Sequence, residues 1–183
     1  IIRFPESSWP NPLRKQNRKM LVPKVYNNVI GDLFFFSSKA NKDFFLGSKK
    51  KENIIYCNDI RYEDWWKKKF LKNRKKKVFT IVVATRIPVD YYFPKNSYVK
   101  YVKDIMEIAS EIKKIKIIFK THPHSGENKI LLNVLNNFEK NLWEVNNNHP
   151  LYLANNADIC ISFITSACFD FISMKKPTIE YFR

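Results

Sequence analysis

The chain has 183 residues, with 33 Lys and Arg against 17 Asp and Glu, a formal charge of +16. That length suits one domain, or one domain plus part of another. Its 45% apolar and 15% aromatic content excludes a disordered polycation, because there is ample surface to bury. The longest apolar stretch free of charge, Ile159 to Phe169, has 11 residues, where a bilayer-spanning helix needs about 20. The opening Ile1-Ile2-Arg3-Phe4 has no charged n-region and no h-region, so no signal peptide is expected. The closing Glu180-Tyr181-Phe182-Arg183 falls inside an expected strand, and the chain reads as a segment of a longer protein. Cys57, Cys160 and Cys168 are an odd number at spacings that suit no zinc knuckle or redox pair; they read as small buried hydrophobes in a reducing compartment. With only Gly31, Gly47 and Gly126, neither a P-loop nor a dinucleotide fingerprint is present. A phosphate site must then rely on helix N-termini, hydroxyls and basic side chains.

Residues 1–64 read as the tail of a first α/β domain, with the aromatic run Phe34-Phe35-Phe36 inside Val25 to Ser38 and a short strand over Asn53 to Cys57. Residues 65–77 read as a basic aromatic linker, carrying Trp65, Trp66 and Phe70 among eight cations and no acid. Charge is lopsided: residues 1–77 hold 20 basic and 7 acidic side chains, residues 78–183 hold 13 and 10. From Val78 the pattern becomes regular. Val78 to Ala84 is a β-branched run of the kind buried on both faces. Pro94 to Ser97 supplies a break and a cap, after which Tyr98, Val102, Ile105, Ala109 and Ile112 recur at helical spacing. Strand Ile115 to Lys120, a helix over Ile130 to Phe138 and strand Leu142 to Val145 follow. A helical turn Leu151 to Ala154, strand Asp158 to Phe163, helix Ser166 to Met174 and strand Pro177 to Phe182 complete the chain. Strands alternating with helices at these lengths predict an α/β, Rossmann-like parallel sheet with helices on both faces over residues 78–183.

Open parallel sheets bind ligands beyond the carboxyl ends of their strands, and two of those ends carry reactive groups. Lys120-Thr121-His122-Pro123-His124 follows Ile117-Ile118-Phe119; the proline stiffens the turn, so both imidazoles lie near the strand tip, where they can donate to phosphate or merely cap a helix. A metal site at His122 and His124 is not expected, since zinc takes three or four ligands and His149, the only other histidine, lies beyond a helix and a strand. The second end is Thr165-Ser166-Ala167-Cys168-Phe169-Asp170. Two hydroxyls at a helix start suit a diphosphate, and Asp170, one turn on, can accept the hydroxyls of a ribose. Each feature also occurs as an ordinary cap. Arg86, at the tip of the first strand, is a further phosphate contact or a surface arginine.

The series Phe-Lys-Thr-His-Pro-His, Thr-Ser-Ala-Cys-Phe-Asp and Lys176-Pro177-Thr178-Ile179-Glu180-Tyr181 resembles the C-terminal half of GT-B glycosyltransferases. Within them it is most similar to bacterial capsule and surface-polysaccharide enzymes and to the poly(glycerol-phosphate) transferases of teichoic acid synthesis. Ile30 to Ser38 and Lys51 to Tyr62 look like the close of such enzymes' N-terminal domain. The resemblance implies two Rossmann-like domains facing across a cleft. It further implies a nucleotide-linked donor of unread base as substrate, no cofactor or metal, and a glycan or lipid-linked acceptor. It matches His122, Thr165 and Ser166 to donor-phosphate contacts and Asp170 to the ribose acid, with Lys120, His124 and Arg86 as additional basic contacts. His124 stands where the family varies. The segment alone is expected to be inactive, because the N-terminal domain is mostly absent. An enzyme meeting lipid-linked acceptors is expected in the cytoplasm, peripheral on the inner membrane face, with Trp65, Trp66, Lys67, Lys68, Lys69 and Phe70 turned to anionic lipid. Two other readings stand beside this one: a sugar-nucleotide 2-epimerase-like enzyme, which shares fold and phosphate site, and a basic nucleic-acid-binding module. No nucleic-acid motif supports the last, so no nucleic acid is expected as partner.

Overall fold

A computed structural model describes residues 2–3, 33–36, 39, 42, 53–57, 59–71, 78–86, 88, 93–121, 127–163 and 165–181. The chain divides into two compact units, Ile1–Trp66 and Lys67–Arg183. In the first, β1 (Ile2–Arg3), β2 (Leu33–Phe36) and β3 (Ile54–Tyr56) form a parallel sheet in that order, with Phe36 buried. β1 was not anticipated; two residues are too few to carry a period. A 3-10 turn, Ile60–Tyr62, precedes helix α1 (Asp64–Lys68), so the segment read as linker begins as a helix. Asp64 stands in its first turn and Lys67 and Lys68 in its last, the arrangement that the helix dipole favours.

The second unit holds β4 (Phe79–Ala84), α2 (Lys95–Glu111), β5 (Ile115–Lys120), α3 (Glu127–Leu135), β6 (Trp143–Val145), α4 (Pro150–Asn156), β7 (Ile159–Ser162), α5 (Ala167–Ser173) and β8 (Thr178–Glu180). All five strands are parallel, in the order β6-β5-β4-β7-β8. This is the α/β, Rossmann-like sheet that the alternation of strands and helices predicts. Val83, Ile117 and Phe119 meet α2 and α3 on one face, where Tyr98, Tyr101, Val102, Met106, Leu131 and Leu135 complete the larger core. Val82, Ala84, Ile118 and Cys160 meet α4 and α5 on the other, with Leu153, Ala154 and Phe171. The central strand needs apolar residues on both faces because both are covered.

Local chemistry sets the ends of these elements. Pro94, with φ −66° and ψ 155°, stands immediately before α2, so the break lies there, without a side-chain cap. Beyond α2, Lys114 turns the chain into β5 at φ 60°. His149 caps α4 by accepting from the Leu151 N–H at Nδ1 (3.2 Å), and Pro150 occupies the first helical position, where its missing N–H costs nothing. Thr80 and Asp158 tie the start of β7 to β4: the Thr80 N–H donates to Asp158 Oδ2 at 2.9 Å and the Asp158 N–H to the Thr80 carbonyl at 2.8 Å.

Candidate functional site

Strand order reverses between β4 and β7: the chain builds outward from β4 through β5 to β6, then returns to β4's other side for β7 and β8. Such a switch point leaves a crevice at the carboxyl ends of the two strands, because the connections from them leave in opposite directions. Arg86 lies two residues past β4 and is half-buried; Thr165 and Ser166 follow β7, the first half-buried and the second exposed. The ends of β4 and β7 are joined by the Phe163 N–H donating to the Ala84 carbonyl at 3.0 Å. The structure therefore brings Arg86 and the Thr165–Ser166 turn to adjacent strand ends, about 5 Å apart across the ladder.

The two hydroxyls differ. Thr165 Oγ1 accepts from the Ala167 N–H at 3.4 Å, which spends it on the entry to α5. Ser166, in the N-cap place of α5 at φ −65° and ψ −9°, makes no side-chain cap, so its exposed hydroxyl is the one directed to solvent. Ser162, wholly buried, lies beneath the turn, its hydroxyl 3.5 Å from the Thr165 carbonyl.

At the neighbouring end of β5, Lys120 shares a level with Ala84 on β4, Ser162 on β7 and Glu180 on β8. Its ammonium donates to the carbonyl of Thr121 at 2.7 Å. Thr121 is 1% exposed, and both its N–H and its hydroxyl donate to Asn147 Oδ1, at 3.3 and 2.6 Å. Asn147 thus anchors Thr121 just past the end of β5. Asn147 was not among the expected site residues; the run Asn146-Asn147-Asn148 after a strand was the available signal, since Asn side chains bond backbone where ladders end. His122 and His124 lie outside the described residues.

Asp170, expected to meet a ribose, is wholly buried, on the face of α5 that carries Ala167, Cys168 and Phe171 against the sheet. Its charge acts on Cys160 and Cys168. Phe70, expected to face lipid, is half-buried and stacks on His149, ring centroids 4.7 Å apart and planes at 19°. Trp65 is 54% exposed, Lys68 and Lys69 are exposed, Trp66 and Lys67 are half-buried, and 72–77 lie outside the described residues. Among the described residues no three His, Cys, Asp or Glu side chains gather as a metal site would require, and no helix is long and apolar enough to cross a membrane.

The two thiols of the second unit, Cys160 and Cys168, are buried. Burial, then the charge of neighbours including Cys168 and Glu180, pushes Cys160 well up from its ordinary value. Burial followed by Glu180 raises Cys168 to about 11, against hydrogen bonds from Ser162 and the backbone. On the outer edge, burial works against the charge of Glu144, but hydrogen bonds from Lys116 and Asn146 and the Lys116 charge hold its carboxyl below the usual range.

No protein-family profile matches the chain, and no curated protein does. Solved structures do. A UDP co-structure of S. aureus MnaA superposes with a TM-score of 0.60 at 13% identity, over 82% of this chain and 42% of that one. The wall teichoic acid polymerase TagF superposes at 0.51 and 18% identity, over 97% of this chain and 44% of that one. A variant of TagF gives 0.52 at 17%, over 96% and 43%. The chain spans less than half the length of these structures, and the likeness shows a shared fold.

Proposed function

We propose that this chain is the donor-binding part of a bacterial glycosyltransferase-like enzyme that takes a nucleotide-activated sugar or glycerol-phosphate donor for surface-polysaccharide synthesis. One observation carries the reading: Arg86 and the exposed Ser166 follow the ends of the adjacent strands β4 and β7 at the switch point, the place where open parallel sheets hold nucleotide phosphates. Arg86 offers a planar fork of donors matched to phosphate oxygens, and Ser166 a hydroxyl not engaged in capping. In the reaction an acceptor hydroxyl attacks the donor, and the departing nucleotide phosphate gains negative charge. Donors already fixed at strand ends stabilise that charge without reorganising. His122 and His124, which follow Thr121 in the chain, would add further donors. The acceptor is a glycan or lipid-linked chain, and the setting is the inner face of the cytoplasmic membrane. A sugar-nucleotide 2-epimerase-like activity is the second reading, favoured by the TM-score of 0.60 to a UDP-bound structure.

Fluorescence titration of the full chain with CMP, CDP, UDP and an oligonucleotide tests the proposal. A nucleoside diphosphate should bind, and Arg86→Ala and Ser166→Ala should each weaken it by about tenfold, the loss of one charge-assisted hydrogen bond. Stronger binding of the oligonucleotide than of any mononucleotide would replace the reading with the nucleic-acid one.

A further inference from the structure

Among the described residues, a single buried side-chain oxygen or nitrogen has no hydrogen-bond partner: the hydroxyl of Tyr101. Buried hydroxyls are nearly always paired, because desolvating one without a partner is unfavourable. The residue lies in the second turn of α2, 2% exposed, with its ring 5.0 Å from Phe163 and 4.9 Å from Tyr181. Those two residues directly follow β7 and β8. A helix connecting parallel strands runs back against them, so the first turns of α2 lie at the carboxyl ends of the sheet. Tyr101 is therefore at the same end as Arg86 and Ser166, displaced toward β8. Glu180 closes β8, half-buried, next in the chain to Tyr181 and level with Ser162. Burial first, then Cys160, Glu180 and Tyr181, keeps the phenol well above its ordinary pKa, so it stays a neutral donor.

We infer that Tyr101 and Glu180 form a notch that takes an uncharged hydroxyl of the bound donor, with the half-exposed Tyr181 ring as its cover. The pair suits that group: a hydroxyl can accept from the phenol while donating to the carboxylate. A phosphate there would meet the charge of Glu180. Turning the half-exposed Tyr181 side chain aside uncovers the phenol. β8 is two strands from β4, about 10 Å at the usual spacing, within one nucleoside's reach of a phosphate at the switch point. The guest hydroxyl belongs either to the ribose or to the transferred group. The inference rests on the nucleotide-donor reading above.

Calorimetric titration separates these cases, using wild type, Tyr101→Phe and Glu180→Gln with UDP, CDP, their 2′-deoxy counterparts and a UDP-hexose. Phenylalanine keeps the ring packing and removes only an unpaired hydroxyl, so the ligand-free melting temperature should stay level or rise. Affinity should fall by about five- to tenfold, the size of one neutral hydrogen bond. A loss seen with ribonucleotides and not with 2′-deoxy forms assigns the ribose; a loss confined to the UDP-hexose assigns the transferred group. Glu180→Gln should follow the same pattern. Equal affinities for every ligand in wild type and Tyr101→Phe overturn the notch and leave nucleotide binding standing. Failure of wild type to bind any nucleotide overturns both. A lowered melting temperature in Tyr101→Phe would mean that the hydroxyl already has a partner, and also overturns the notch.

Discussion

Cys160, Cys168 and Tyr101 share one property: burial holds each in its protonated form. An unfolded thiol releases its proton near pH 8.5, whereas Cys168 keeps it to about 11. The folded chain therefore binds more protons than the unfolded one in that window. The stabilisation is complete below the unfolded value and is lost as pH rises toward the folded one. Urea midpoints should accordingly fall between pH 8.5 and 11, and Cys168→Ser should fall less steeply than wild type. Identical slopes would mean that the thiol is not the group responsible. In the native chain at pH 8.5, iodoacetamide should modify half-exposed Cys57 well before the two buried thiols, and all three in urea.

At the scale of elements, the helix ends show how a chain with 3 glycines makes its turns. Lys114 and Lys175, after α2 and α5, take φ of 60° and 56°, the left-handed region where a Cβ is crowded. Lys114→Gly should raise stability by about 0.5 kcal/mol, the relief of strain less the added backbone entropy; an unchanged or lower urea midpoint would show that the lysine's own contacts outweigh it. The same scale shows what could be read in advance. Ile115–Lys120 was legible to the residue because Ile117-Ile118-Phe119 is apolar on both faces and a lysine stands on either side of it. The carboxyl-end location of Arg86, Thr165 and Ser166 followed from their places directly after strands in the chain. The phase of short or mixed helices did not. Ile108 and Ile112 are 62% and 45% exposed although Ile112 fits the apolar stripe of α2, while Tyr101 is buried. Its burial depends on Phe163 and Tyr181, far away in sequence. The burial of Asp170 was hidden for the same reason: with 7 residues, α5 has too few positions for a period to declare which side faces the sheet.

At the scale of the whole chain, the dominant fact is charge, +16 overall, with 20 basic residues against 7 acidic ones in 1–77. The segment from Asp64 to Leu71 gives that charge a partly apolar surface: α1 buries none of its residues, and Trp65 and Leu71 are 54% and 55% exposed beside exposed Lys68 and Lys69. Phe70 does not join them, because it is stacked on His149. Exposed tryptophan next to lysine suits the headgroup region of an anionic leaflet, where each cation contributes about 1 kcal/mol near the surface and less as salt rises. A solvated linker would carry the same charges with no preference for lipid, so vesicle composition decides between them. The chain should co-sediment with anionic vesicles at low salt, detach as salt is added, and bind more weakly as Trp65→Ala than as Phe70→Ala, since only the former removes an exposed ring. Equal recovery in the supernatant with anionic and neutral vesicles would end the membrane role. Equal weakening by both substitutions would place the lipid contact elsewhere than on α1.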